Sequence, residues 1–208
     1  MQEDVLKEIL LIEWDMFKNV TNQGGEAPCQ RNQKTFVIMR LSQAMSWNEA
    51  MLESYLQDLK TAKAEGRNIM TEKYARMMKY TFPEEYEKLE HSLPAVSGEK
   101  QLLADRITAL MVCWARLSSE KYPYVTSAGR PIGTMEDNQG DTSIETYFRG
   151  ELLTYGTGTL QLCWEHYSKS MAQGVNSYET VLKNMVKLYG YDSIEQAEEY
   201  NRKRTKSV

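Results

Sequence analysis

The chain has 208 residues, of which 41% are hydrophobic and 26% charged, with a formal net charge of -4. Such a composition supports one sizeable core, is too mixed for disorder, and offers no overall positive field to draw in a nucleic-acid backbone. With no Pro/Gly/Ser-rich linker dividing it, the chain reads as a single helical domain over residues 1–208.

The first predicted helix covers residues 4–20, where Val5, Leu6, Ile9, Leu10, Met16, Phe17 and Val20 recur at spacings of three and four. Glu13 falls in the middle of that stripe, whereas Asp15 points away from it. The cluster Asn22-Gln23-Gly24-Gly25 ends the helix. A second helix over residues 31–45 is apolar on opposite sides, with Ile38, Leu41 and Met45 on one and Phe36, Val37, Ala44 and Trp47 on the other, which marks it as central. Arg40 lies within the second side, and Gln43 lies beside it one turn later. Asn48 is the expected cap of a third helix that runs to Glu65 and stops at Gly66.

Further helices are expected over residues 71–80, 83–91 with Pro83 at the first helical position, and 97–119, where Arg106 sits among Leu102, Leu103, Leu110 and Cys113. Residues 120–142 carry Pro123, Gly129, Pro131, Gly133 and Gly140 and read as one long loop, in which Tyr122 and Tyr124 are candidates to cover a pocket. A long helix over residues 143–171 follows. Two glycines near Thr154-Tyr155-Gly156-Thr157-Gly158-Thr159 weaken it by roughly 1 kcal/mol each, so a kink is expected there. Within it Glu145 and Arg149 stand four apart in a stripe with Phe148, Leu152, Leu160 and Cys163, while Glu151 falls on the other side with Ile144, Tyr147, Tyr155 and Leu162. Short helices over residues 177–189 and 193–202 complete the chain. The expected fold is all-α, a single-domain multi-helix bundle of about eight helices with one long loop before the long helix of the C-terminal half.

No apolar run approaches the roughly 20 residues that span a bilayer. The acidic Gln2-Glu3-Asp4 stands where a secretory leader would be basic, so a cytoplasmic protein with no membrane or nucleic-acid partner is expected. The basic run Arg202-Lys203-Arg204-Thr205-Lys206 reads as a frayed, solvated end. Three cysteines and the histidines His91 and His166 form no cluster at zinc spacing, and no metal or cofactor is expected. Glu87 and His91 have the spacing of a metal pair but read as a solvated helix face. Cys113 and Cys163 read as packing. Cys29, placed just before the second helix, is a possible reactive thiol, since free N–H groups at a helix start lower a thiol's pKa.

Charges on apolar faces carry the functional expectation, because a buried carboxylate or guanidinium must pair, accept or donate hydrogen bonds, or lose its charge. One reading is a site for a small anionic or zwitterionic metabolite between the first helix, the second and the helix after Ser143. In it Arg40 and Arg149 hold the anion, Gln43 orients it, and Glu13 and Glu145 orient the arginines or act as acid and base. Arg106 and Glu151 are supports. The alternative is a non-enzymatic protein-protein interaction module whose buried charges are a structural salt-bridge network. A third reading is an enzyme that works through Cys29.

Several segments carry a family resemblance: Glu13-Trp14-Asp15-Met16-Phe17, Gly24-Gly25-Glu26-Ala27-Pro28-Cys29-Gln30, Phe36 through Arg40 and Gln43 to Trp47, and Thr142-Ser143-Ile144-Glu145-Thr146-Tyr147-Phe148-Arg149-Gly150-Glu151-Leu152. With these the chain resembles a bacterial family catalogued as domain of unknown function 4125. The resemblance implies a helical protein of bacterial origin and carries no reaction, ligand or catalytic residue with it.

Overall fold

The computed structural model describes residues 2–20, 28–127 and 129–205, and within them the regular structure is helical with no strand. The α-helices are α1 (Gln2–Lys18), α2 (Gln33–Ala44), α3 (Glu49–Ala64), α4 (Ile69–Thr81), α5 (Pro83–Leu89), α6 (Gly98–Lys121), α7 (Pro123–Thr126), α8 (Ile144–Leu152), α9 (Thr157–Ala172), α10 (Ser177–Leu188) and α11 (Ile194–Thr205). Eleven helices among the described residues replace the expected eight or so. Two local features account for most of the difference. A short helix, α7, forms inside the segment expected to be loop. The long helix expected over residues 143–171 is divided into α8 and α9, because the Thr154 hydroxyl turns back onto the Glu151 carbonyl at 2.7 Å and Asp58 captures the Gly156 amide at 2.7 Å.

Local chemistry sets the helix ends. Side-chain oxygens of Asn48, Ser97 and Ser143 accept from Met51, Lys100 and Thr146 amides at 2.9, 3.2 and 3.2 Å, each cap contributing about 1 kcal/mol. Asn68 caps α4 in the same way and also donates to the Met16 carbonyl at 2.7 Å, which docks the start of α4 against the end of α1. After α3 the chain reverses at Gly66, whose φ of 70° belongs to the left-handed region, and the Arg67 amide reaches back to the Ala62 carbonyl at 2.8 Å.

The main core gathers α1, α3, α4, α6, α8 and α9 around residues such as Ile9, Leu52, Leu59, Ile107, Leu152 and Leu160. In it α8 packs against both α4 and α6, while α3 packs against α1 and α9. The α4–α8 crossing is close because Gly150 has no side chain: a Cβ there would meet Met77 Cγ at 3.0 Å and the Lys73 carbonyl oxygen at 3.1 Å.

A second apolar cluster joins Tyr122 and Val125 to Leu182, Val186, Ile194 and Ala197. Tyr122 is buried in it and donates to Glu195 at 2.8 Å, so this ring is core rather than a pocket cover, and Tyr124 gives its backbone amide to Glu198 at 2.9 Å. The segment leading to α8 is pinned as well. The Ile144 amide reaches the Pro131 carbonyl at 2.8 Å, and the Asp137 carboxylate accepts from the Ser143 amide and the Thr146 hydroxyl. At the other end α11 stays helical to Thr205, with Arg202 held by Glu199 at 2.9 and 3.0 Å, where a frayed end was expected. Among the described residues no helix is long and apolar enough to cross a membrane.

Candidate functional site

Four charged side chains from four helices meet inside the main core. Arg40 of α2 donates from Nε to Glu13 Oε2 of α1 at 2.9 Å and from Nη2 to Glu13 Oε1, a two-pronged pair. Its Nη1 reaches both carboxylate oxygens of Glu151 on α8, at 2.9 and 3.0 Å, and the side-chain oxygen of Gln43 at 3.1 Å. Lys73 of α4 completes the set with its Nζ 2.5 Å from Glu151 Oε2 and 3.5 Å from the centre of the Tyr147 ring. Two hydroxyls close it: Tyr55 donates to Glu13 and Tyr155 to Glu151, each at 2.6 Å. Gln43 donates a hydrogen bond from its side-chain amide to Glu151 at 3.0 Å.

Two carboxylates and two cations make this interior neutral, which is the condition for burying charge at tolerable cost. Burial alone would pull Arg40 down, yet Glu13 and then Glu151 hold its guanidinium well above its ordinary value. Burial would likewise raise Glu151, but Arg40 and Lys73 more than offset it and keep the carboxyl well below the usual carboxylate range. For Tyr55, burial first and the Glu13 charge second push the hydroxyl up, so it stays a donor. Every nitrogen of Arg40 is engaged by Glu13, Gln43 and Glu151, and none of Glu13, Arg40 and Gln43 lines the cleft described below.

Arg149 and Glu145 stand apart from this network. Arg149 is half-buried and donates to Asp105 at 3.0 Å and to Glu145 at 3.2 Å, so the five residues expected to converge divide into two groups. The geometry of α8 explains the division: Glu151 follows Arg149 by two residues and so stands about 200° round the same helix, and it is the Glu151 side that faces Arg40. Arg106 is exposed, with its guanidinium 5.3 Å from the Trp164 ring, and Leu102 and Cys113 are exposed beside it in sequence. Apolar residues occur all round α6, and the face chosen for Arg106 is the wet one. Glu87 and His91 are both exposed. The side chain of Cys29 lies outside the described residues.

The cleft borders the other side of the α4–α8 contact. It has a volume of about 270 Å³ and is lined by Arg76, Lys79 and Tyr80 of α4, Arg149 and Leu153 around α8, and residues from the segment that joins α5 to α6. Arg76 is 8% exposed, and its one hydrogen bond among the described residues runs from Nη2 to the Pro94 carbonyl at 2.7 Å. Among the described residues its Nε is buried with no partner, and no carboxylate pairs with the guanidinium. Burial therefore dominates and lowers the guanidinium's pKa, with Glu72 and Tyr86 only partly countering it.

A family model described as "Protein of unknown function (DUF4125)" matches residues 3–199, a span that includes the whole network and the cleft. The chain belongs to that family. Comparison with curated proteins and with solved structures gave no match.

In this DUF4125 member the residues missed by sequence reasoning are Lys73, Tyr55 and Arg76, while that reasoning places Tyr155 beside Glu151 without a role. The signal for them was present. On α4, Lys73 and Arg76 share a buried face with Ile69, Met70 and Met77 at spacings of three and four, the same pattern that singled out Glu13. Tyr55 lies three and four residues from Leu52 and Leu59 in the same way. The α4 and α8 helices thus carry both features of the DUF4125 chain: Lys73 and Glu151 in the closed network, and Arg76 and Arg149 at the cleft.

Proposed function

We propose that the protein binds a small ligand carrying an anionic group in the cleft between α4 and α8, with Arg76 and Arg149 as the guanidinium donors. The observation that carries this reading is Arg76, a nearly buried cation that among the described residues has no carboxylate partner and a buried Nε left unsatisfied. Leaving a buried donor unpaired costs about 1–3 kcal/mol, and an unpaired buried charge costs more. A carboxylate or phosphate in the cleft supplies the missing countercharge, and guanidinium binds either group through two parallel bonds.

Arg149 is compensated by Asp105 and Glu145 and serves to orient the ligand rather than to supply net charge. Glu13, Arg40 and Gln43 act on this site indirectly: with Glu151 and Lys73 they hold α8 against α4, and so set the separation of Arg76 and Arg149. The interaction-module reading shares this rigid network and differs in giving the cleft no ligand.

Arg76→Met separates the two readings. An apolar side chain of similar length removes the unsatisfied donor, so the variant should stay within about 1 kcal/mol of the parent in urea unfolding. Its affinity for carboxylates and phosphates found by a thermal-shift panel should fall about tenfold or more. A panel in which no anion binds, or an Arg76→Met protein that binds as well as the parent, overturns the proposal.

A further inference from the structure

Opposite charges stand unpaired in the same cleft. Among the described residues, Arg76 on α4 has no carboxylate partner and Lys79, one turn on, forms no ion pair. At the end of α5, Glu90 accepts the Tyr86 hydroxyl at 3.1 Å and pairs with no cation among the described residues. Glu90 is near enough to help hold the charge on Arg76, yet the two do not close to a salt bridge, so the cleft keeps a cationic and an anionic pole apart. Tyr86, Leu93 and Leu153 line the same space with apolar surface.

A simple anion satisfies Arg76 but meets Glu90 as a like charge, and a simple amine has the reverse fault. A ligand with both charges on neighbouring atoms answers both poles at once. The volume, about 270 Å³, falls just below the range of ~300–1,000 Å³ usual for small-molecule sites, which restricts the occupant to a small molecule. We infer that the ligand is an α-amino acid with an apolar side chain, its carboxylate on Arg76 and oriented by Arg149, with Lys79 adding positive charge at the same pole, its ammonium on Glu90, and its side chain against Tyr86, Leu93 and Leu153. This inference rests on the anion-binding reading and specifies the class of ligand.

Titration calorimetry on the full chain tests it with L-leucine and L-phenylalanine, each beside its deaminated analogue, 4-methylpentanoate or 3-phenylpropanoate. At least one amino acid should bind about tenfold more tightly than its analogue, the difference expected of one charge-assisted hydrogen bond. Glu90→Gln, a change at an exposed position, should reduce that preference to less than about twofold while leaving the analogue's affinity unchanged or improved. Analogues that bind as tightly as the amino acids overturn the inference and leave the anion reading standing. A preference that survives in Glu90→Gln also overturns it, by removing Glu90 from the site. Binding by neither amino acids nor analogues, with phosphate inactive as well, overturns both.

Discussion

Lys73 and Glu151 meet at 2.5 Å with both side chains closed to solvent, and this contact ties α4 to α8. Glu151 is shared: its other cation, Arg40, belongs equally to Glu13. The four charges can therefore be removed as two neutral pairs, and any single removal leaves an excess charge in the core.

Lys73→Met should destabilise the protein by about 3–5 kcal/mol, because Glu13 and Glu151 are then left with Arg40 alone. Lys73→Met combined with Glu151→Leu restores neutrality and leaves Arg40 with Glu13. The double variant should be more stable than the sum of the two single losses implies by more than about 1 kcal/mol. Urea unfolding of the four proteins checks this, and strict additivity would show that the charges do not act as a set.

Two glycines near the α8–α9 break should respond with opposite signs. Gly150→Ala forces a methyl group against Met77 and the Lys73 carbonyl, and should cost about 1–3 kcal/mol and weaken the cleft by separating α4 from α8. At Gly158, in the first turn of α9, a methyl group would meet no heavy atom within 4 Å, so Gly158→Ala should stabilise by roughly 0.4–1 kcal/mol. Melting temperatures of the two variants give both signs directly.

Stability should depend on pH at both ends of the scale. Glu151 is a carboxyl whose pKa is depressed despite its burial, through Arg40 and Lys73, so its contribution is present above the unfolded value of about 4.3 and is lost as pH falls below it. Lys100 behaves oppositely. Burial, with Arg76 next in effect, brings its ammonium down to about 8, whereas an unfolded lysine titrates near 10.4. Between about pH 8 and pH 10 the unfolded chain holds the extra proton, so folding stability should rise with pH across that window. The rise should be absent in Lys100→Met, and lysine acylation at pH 8 followed by peptide mapping should mark Lys100 ahead of exposed lysines such as Lys34 and Lys187.

The amino-acid sequence by itself determined the helical class, the capped start at Asn48, the helix starts near Ser97 and Ser143, and the burial of Glu13 and Arg40. Each depends on bonds within four residues or on a 3.6-residue period. Tertiary structure decided who meets whom: Glu13 and Arg40 are 27 residues apart, Lys73 and Glu151 78, and Arg40 and Glu151 111. No local rule selects such partners. It also decided that Arg40 is saturated inside a neutral network while Arg76, on the face of α4 next to Lys73, is left with an unfilled bond at a cleft. A helix period tells that a charge turns inward, but only the packing of α4 against α8 determines whether it finds a countercharge there.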